Sequence, residues 1–327
     1  MPNQTPKVTS MTTISRLIVS KKGRSVFQEA VLNPVPRGSV SMLFTPAAPG
    51  AVNPTVIGHA YDMWFRCWLG RHVESVTVDP RAFIGYKHSA TMSCLDDEAA
   101  IERAFMLLAQ DGVLDDPQAD PLAKSAAEAI DAWIAGDGDD CSVLRACLTL
   151  GFFEIAYRDG CAQHPMKISE AEIDELRRLT EVTDGDWLKQ ARTVVLNPVF
   201  SLAQGLSRIA ADGDLLVDSE LIDLKTNRRR KLMDDWRQLA GYVALNDLQD
   251  EPLPIKRVAT YYVRFGRRWS YPVDAVFAPG GRERLQHLMR EELICQHQRR
   301  AQARDLKQTR PHQRSSSKTN RPSRRKS

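Results

Sequence analysis

No run of about 18 apolar residues occurs in the 327-residue sequence, which excludes an ordinary membrane-spanning helix. The first residues, MPNQTPKVTSMTTISRLIVSKKGR, have neither the long apolar centre nor the small-residue cleavage site of a secretory signal. A cytoplasmic location is therefore expected. None of the six cysteines (Cys67, Cys94, Cys141, Cys147, Cys161 and Cys295) belongs to a CxxC pair. Neither a zinc site nor a cysteine-bound iron–sulfur cluster is expected, and the cysteines read as small buried hydrophobes. The phosphate-binding pattern GxxxxGK[ST] of helicases is missing, and no internal repeat is visible.

What is present is the composition of a globular protein, 43% hydrophobic and 26% charged. The net charge of +4 conceals an asymmetry. From Arg299 onward there are eleven Lys or Arg against one acid, Asp305, a net +10; residues 1–298, with the other 34 bases and 40 acids, carry −6. A basic segment of this kind attracts phosphate backbones without reading sequence, or is simply a solvated, disordered end.

Periodicity divides the chain into a helical front and a mixed rear. Residues 1–12 read as a loose leader, and 14–45 as short mixed pieces broken by prolines. Residues 56–73 read as a helix, because Ile57, Tyr61, Trp64, Phe65, Trp68 and Leu69 recur at helical spacing. Further helices are predicted over 96–110, 121–135 and 142–158, the last with Leu144, Leu148, Phe152 and Ile155 on one face, and another opens at Ser169 through a Ser-Glu-Ala-Glu cap. Strands are predicted over 193–200, 214–217 and 221–225, a helix over 232–248, a hairpin around Gly266, and a last helix over 281–306. This order suggests a mixed sheet flanked by helices.

The chemistry concentrates in ADGDLLVDSELIDLKT, residues 211–226. A two-residue turn at Asp218-Ser219 pairs Val217 with Glu220, Leu216 with Leu221, Leu215 with Ile222 and Asp214 with Asp223. Lys225 then joins the face of the two acids, and Asp212 falls opposite it. A three-residue turn would instead put Asp214 on the other face, and Asp-Ser is a weaker turn pair than Asp-Gly. Opposed carboxylates repel, and folding has no need of them; a hard divalent cation does. A lysine beside them can orient a water and offset charge developing on a phosphoryl group. In the following KLMDDWRQLAGYVALND, Gln238 and Tyr242 share a helix face, while Leu232, Trp236, Leu239 and Val243 form the core stripe.

LIDLKT followed by WRQLAGY resembles the RecB-like branch of the PD-(D/E)xK nuclease superfamily, closely over residues 193–246 and more weakly elsewhere. That resemblance implies an α/β fold: a restriction-endonuclease-like core, with a mixed central sheet flanked by helices and a helical N-terminal elaboration. It implies Mg²⁺- or Mn²⁺-dependent hydrolysis of phosphodiester bonds in nucleic acid, DNA by analogy with the family. Asp214 and Asp223, with the Leu224 carbonyl, become metal ligands, Lys225 the catalytic lysine, and Gln238 and Tyr242 its supporting pair. Gly58 to Asp62 resembles the family's GxxxH helix with Asp62 in place of the histidine, so Asp62 is a further candidate ligand; His59 is off register and reads as ordinary helix. Glu154 is either the additional acid of many relatives or an acid on a solvated helix face.

Arg228, Arg229, Arg230 and Lys231 follow the lysine directly and suit the gripping of a phosphate backbone, with Arg264, Arg267 and Arg268 as possible extensions. The expected plan is a leader over 1–12, one nuclease-like domain over 13–298 and a basic disordered tail over 299–327. Within that domain the catalytic core covers about 142–275 and the helical elaboration about 55–140. Two other readings stay open: a catalytically inactive nucleic-acid-binding protein of the same fold, and an interaction module in which the hairpin is structural.

Overall fold

The computed structural model describes residues 12–35, 40–78, 119–159, 168–204 and 207–308. Its centre is a six-stranded mixed sheet in the order β2-β3-β6-β7-β8-β9. These strands are β2 (Val76–Val78), β3 (Val194–Leu196), β6 (Leu215–Val217), β7 (Glu220–Lys225), β8 (Arg257–Tyr262) and β9 (Arg267–Pro272). β2 runs parallel to β3 and β7 parallel to β8; the other pairings are antiparallel. The remaining strands, β1 (Thr12–Thr13), β4 (Val199–Gln204) and β5 (Ser207–Asp212), form a smaller sheet in the order β1-β5-β4.

Alternation along β7 and its neighbours sends side chains into two cores. Leu215, Ile222, Ala259 and Tyr261 face one side, against α3 (Pro54–His72), α4 (Ala119–Ala135), α5 (Asp140–Asp159) and α6 (Glu170–Glu181). Leu216, Leu221 and Val258 face the other, against α1 (Ile14–Val19), α2 (Lys21–Ala30), α7 (Leu232–Asn246), α8 (Gly281–Gln308) and the small sheet. A sheet covered on both faces needs continuous apolar strands, and LLV and LI supply them. Mixed α/β architecture with helices flanking a mixed sheet is therefore present. Among the described residues no helix is long and apolar enough to cross a membrane.

The hairpin register is the one expected: Leu215 pairs with Ile222, Leu216 with Leu221 and Val217 with Glu220. Asp218 takes a left-handed φ of 53°, which aspartate tolerates, and its Oδ1 accepts the amides of Arg192 and Thr193. These bonds to the start of β3 support a turn that lacks the usual glycine. Gly266, at φ 54°, closes the β8–β9 hairpin after a short 3₁₀ turn.

Several expectations need correction. The predicted strand over 193–200 is two strands, because Asn197 (φ 50°) and Pro198 end β3 and pass the chain to the small sheet. β5 was not expected, and it takes Asp212 away from Lys225 to pair with Val199. Residues 14–30 form α1 and α2 rather than mixed pieces; Thr13 and Ser20 cap them, and α2 buries Gly23, Phe27 and Ala30 on one face. Thr12, placed in the leader, lies in β1. The last helix continues to Gln308, so 299–308 of the expected disordered tail is helical, while 309–327 lies outside the described residues, as does the helix expected over 96–110. Cys67 and Cys147 are buried as expected, whereas Cys141 and Cys295 are exposed on helices; Cys94 and Cys161 lie outside the described residues.

Ser169 caps α6 in a full capping box: its Oγ accepts the Glu172 amide, and the Glu172 carboxylate accepts the Ser169 amide. Ser169→Ala is expected to lower stability by about 1 kcal/mol in urea unfolding, and Ser169→Asp to retain most of it. An unchanged midpoint in the alanine variant would show that the cap contributes nothing.

Candidate active site

The site is built at the C-terminal end of β7, where the strand enters the loop before α7. Extending the hairpin register by one residue sets Asp214 opposite Asp223. The Oδ2 of Asp214 accepts the Leu224 amide at 2.6 Å, which holds the half-buried carboxylate against the strand. Lys225, two residues after Asp223, extends from the same face. Its ammonium lies 2.7 Å from Asp223 Oδ2 and donates to Gln238 Oε1 at 3.1 Å. Gln238 in turn donates through Nε2 to the hydroxyl of Tyr242, one helical turn along α7. The five residues expected on the hairpin and helix are thus brought into one connected group.

Two residues of this group were not anticipated. Asp235, on the first turn of α7, places Oδ1 3.7 Å from the Lys225 ammonium, and its Oδ2 accepts a hydrogen bond from the buried hydroxyl of Tyr262. Tyr262 is the neighbour of Lys225 in the β7–β8 ladder. Asp235 reads in sequence as an ordinary acid favouring a helix N-terminus. Its spacing three residues before Gln238 is the only signal that could have placed it on the site.

The electrostatics follow from burial. Asp223 is 4% exposed and its carboxyl is pushed up to about 8, first by desolvation and then by the charges of Asp214 and Asp235, against the pull of Lys225. Burial also raises Asp214 and Asp235, with Lys225 opposing in both cases. For Lys225, burial acts downward but is outweighed by Asp223, Asp235 and Asp214, so the ammonium is held above the ordinary lysine value. Tyr242 is raised by burial and by the nearby carboxylates and stays a neutral phenol. Asp223 and Asp235 in contact with Lys225, and Asp214 acting on it through its charge, therefore outnumber one ammonium, a deficit of positive charge.

That deficit, between oxygen ligands, fits a hard cation. Thr260, paired with Asp223 across β7–β8 and wholly buried, leaves its hydroxyl without a hydrogen-bond partner beside the acids. Among the described residues no three His, Cys, Asp or Glu side chains form a ready cluster. The candidate ligands are accordingly two carboxylates, Asp214 and Asp223, with the Leu224 carbonyl, leaving further positions to water.

The helix α3 reaches the same end of the sheet. A Cβ at Gly58 would stand 3.4 Å from the Thr226 hydroxyl. One turn on, Asp62 forms an ion pair with Arg66, which is almost wholly buried and whose charge acts on Asp214. The side chain of Glu154, in α5, lies outside the described residues.

The basic loop divides into anchors and exposed cations. Arg228 lies 3.7 Å from the buried Glu175, and Arg230 stacks over Phe265 and Trp269. Arg229 and Lys231 are exposed. Arg264 does not extend this surface: it is 3% exposed, ion-paired with Glu175 at 2.6 Å, and donates to the Thr226 carbonyl. Arg268 is held by Glu220 and stacks on Trp187, whereas Arg267 remains exposed.

The raised carboxyls have a consequence for stability. Between the ordinary aspartate value of 3.8 and about 8, native Asp223 holds a proton that the unfolded chain has released. Stability of the protein in EDTA is therefore expected to fall as pH rises from 5 to 8, by up to about 1.4 kcal/mol per pH unit for one such group. Asp214 and Asp235 act with the same sign. Urea unfolding at several pH values checks this, and Asp223→Asn is expected to flatten the slope. Stability rising over that range would contradict it.

The chain matches no family model, no curated protein and no solved structure.

Proposed function

We propose that this protein is a metal-dependent nuclease that hydrolyses phosphodiester bonds, with DNA as its substrate and Mg²⁺ or Mn²⁺ held by Asp214, Asp223 and the Leu224 carbonyl. The observation that carries the proposal is the contact of the Lys225 ammonium with both Asp223 and Gln238. An acid pair, a lysine and a Gln–Tyr helix, separated in sequence, lie together, which supports the reading drawn from the resemblance to the RecB-like nucleases. DNA rather than RNA rests on that resemblance alone.

The metal supplies Lewis-acid stabilisation of a phosphoryl oxygen and makes a bound water more acidic. The chain's own residues do the rest. Asp214 and Asp223 would bind the metal, and Asp223 would exchange the proton that it holds in the metal-free protein for the divalent ion. Asp62, whose Oδ2 pairs with Arg66, is a further candidate ligand. Lys225, kept as an ammonium, orients water by hydrogen bonding and offsets negative charge on the phosphoryl group at the transition state. Gln238 holds the lysine, and Tyr242 holds Gln238. Arg229 and Lys231 offer exposed charge to neighbouring phosphates.

Purified protein incubated with single- and double-stranded DNA and RNA is expected to cleave DNA with Mg²⁺ or Mn²⁺ and not in EDTA. Lys225→Ala and Asp223→Ala are each expected to lower the rate at least about a hundredfold. DNA retention without cleavage would replace the enzyme with an inactive binding protein, and neither activity would reject both.

The loop generates a separate expectation. Arg229→Ala and Lys231→Ala should weaken DNA binding and reduce the log–log salt slope by about 0.9 for each duplex phosphate that is no longer neutralised. Arg228→Ala and Arg230→Ala should instead act through the loop's anchoring, lowering thermal stability. Filter binding across salt concentrations, with thermal melts, separates the two classes.

A further inference from the structure

Three groups surround the Lys225 ammonium: Asp223 at 2.7 Å, Gln238 at 3.1 Å and Asp235 at 3.7 Å. Gln238 accepts a hydrogen bond from the ammonium, while Asp223 and Asp235 are ion-pair contacts. They are not equivalent once a cation is present. Asp223 is a candidate metal ligand and must share its charge, while Gln238 is neutral. Asp235 alone is a carboxylate outside the ligand set. Its second oxygen already accepts from Tyr262, a wholly buried residue held in β8 and packed edge-on against Trp269 and Phe265.

We propose that Asp235, fixed by Tyr262, is a positioning residue that holds the Lys225 ammonium in place while Asp223 serves the metal. The inference rests on the nuclease reading for its catalytic consequence, but the contact itself can be read without it. Asp235 arrives from the helix and Tyr262 from the neighbouring strand, so the lysine is braced from two elements besides its own. A lysine tethered by Asp223 alone would lose its anchor at the moment the metal takes that carboxylate. Bracing by a group outside the ligand set removes the conflict, as outer partners do for metal ligands elsewhere.

The test uses Asp235→Asn, which keeps the shape, and Tyr262→Phe, which removes only the hydroxyl, in the full-length chain. With Mn²⁺ and DNA, Asp235→Asn is expected to lower kcat about ten- to a hundredfold with little change in KM. Tyr262→Phe is expected to act in the same direction and more weakly. Mn²⁺ affinity by calorimetry should be unchanged in both and abolished in Asp223→Asn. Failure of Asp235→Asn to bind Mn²⁺ would make Asp235 a ligand and overturn the proposal, as would an unchanged kcat. Crystal structures of wild type and Asp235→Ala, both soaked in Mn²⁺, read the contact independently of cleavage: Lys225 should leave its wild-type position, and a lysine that keeps it overturns the proposal. Absence of metal-dependent cleavage in the wild type sinks the nuclease reading instead, and the crystal comparison still decides whether Asp235 places Lys225.

Discussion

The ammonium of Lys225 is the charge around which this part of the molecule is arranged. It is held at the end of a central strand against the buried acids Asp223 and Asp235, with the half-buried Asp214 nearby. Burying ionised groups costs several kcal/mol each unless they are paired. Here the acids outnumber the cation, and the mismatch is expressed in the upward displacement of Asp223, Asp214 and Asp235. A packed sheet has no folding reason to keep such a group. Local violation of folding rules within a consistent scaffold supports the proposal that this group is a functional site.

The scaffold keeps the repelling groups from moving apart. Apolar side chains above and below β6, β7 and β8 fasten the sheet to helices on both faces, so the positions of Asp214 and Asp223 follow from backbone hydrogen bonds. α7 then rests on the same face through Trp236, Leu239 and Val243, which brings Gln238 and Asp235 over the end of β7. Beyond the strand, the Thr226 carbonyl is tied to Arg264, and Arg264 to the buried Glu175 of α6. The basic loop therefore starts from a fixed point, and its anchors leave Arg229 and Lys231 directed to solvent.

Much of this was legible in the sequence. The hairpin register followed from a two-residue turn at Asp218-Ser219, since apolar runs buried on both faces do not fix it by themselves. The helix carrying Gln238 and Tyr242 followed from its period, and the cap of α6 from Ser169 and Glu172. The failures have physical causes. α1 spans only six residues, too few for a period to show, and the face of α2 is carried by Gly23, Phe27 and Ala30, of which only Phe27 is a large apolar residue. The switch at Asn197-Pro198 from one sheet to another looks, in sequence, like an uninterrupted strand. Arg264 looked like surface charge because a buried ion pair needs a partner, and Glu175 lies far away in the chain, on a helix that precedes the hairpin.

What the sequence determined by itself was local. It set which residues recur every three or four positions, where helices are capped and, given a two-residue turn, that Asp214, Asp223 and Lys225 share one face of a hairpin. These properties depend on neighbours within one turn or one strand pair. Only the tertiary structure decided which distant groups close around that face: Tyr262 from β8, Asp235 from α7, and Arg66 from α3. Their approach is set by how sheets and helices pack, and packing couples residues far apart in the chain through contacts that no short window of sequence contains.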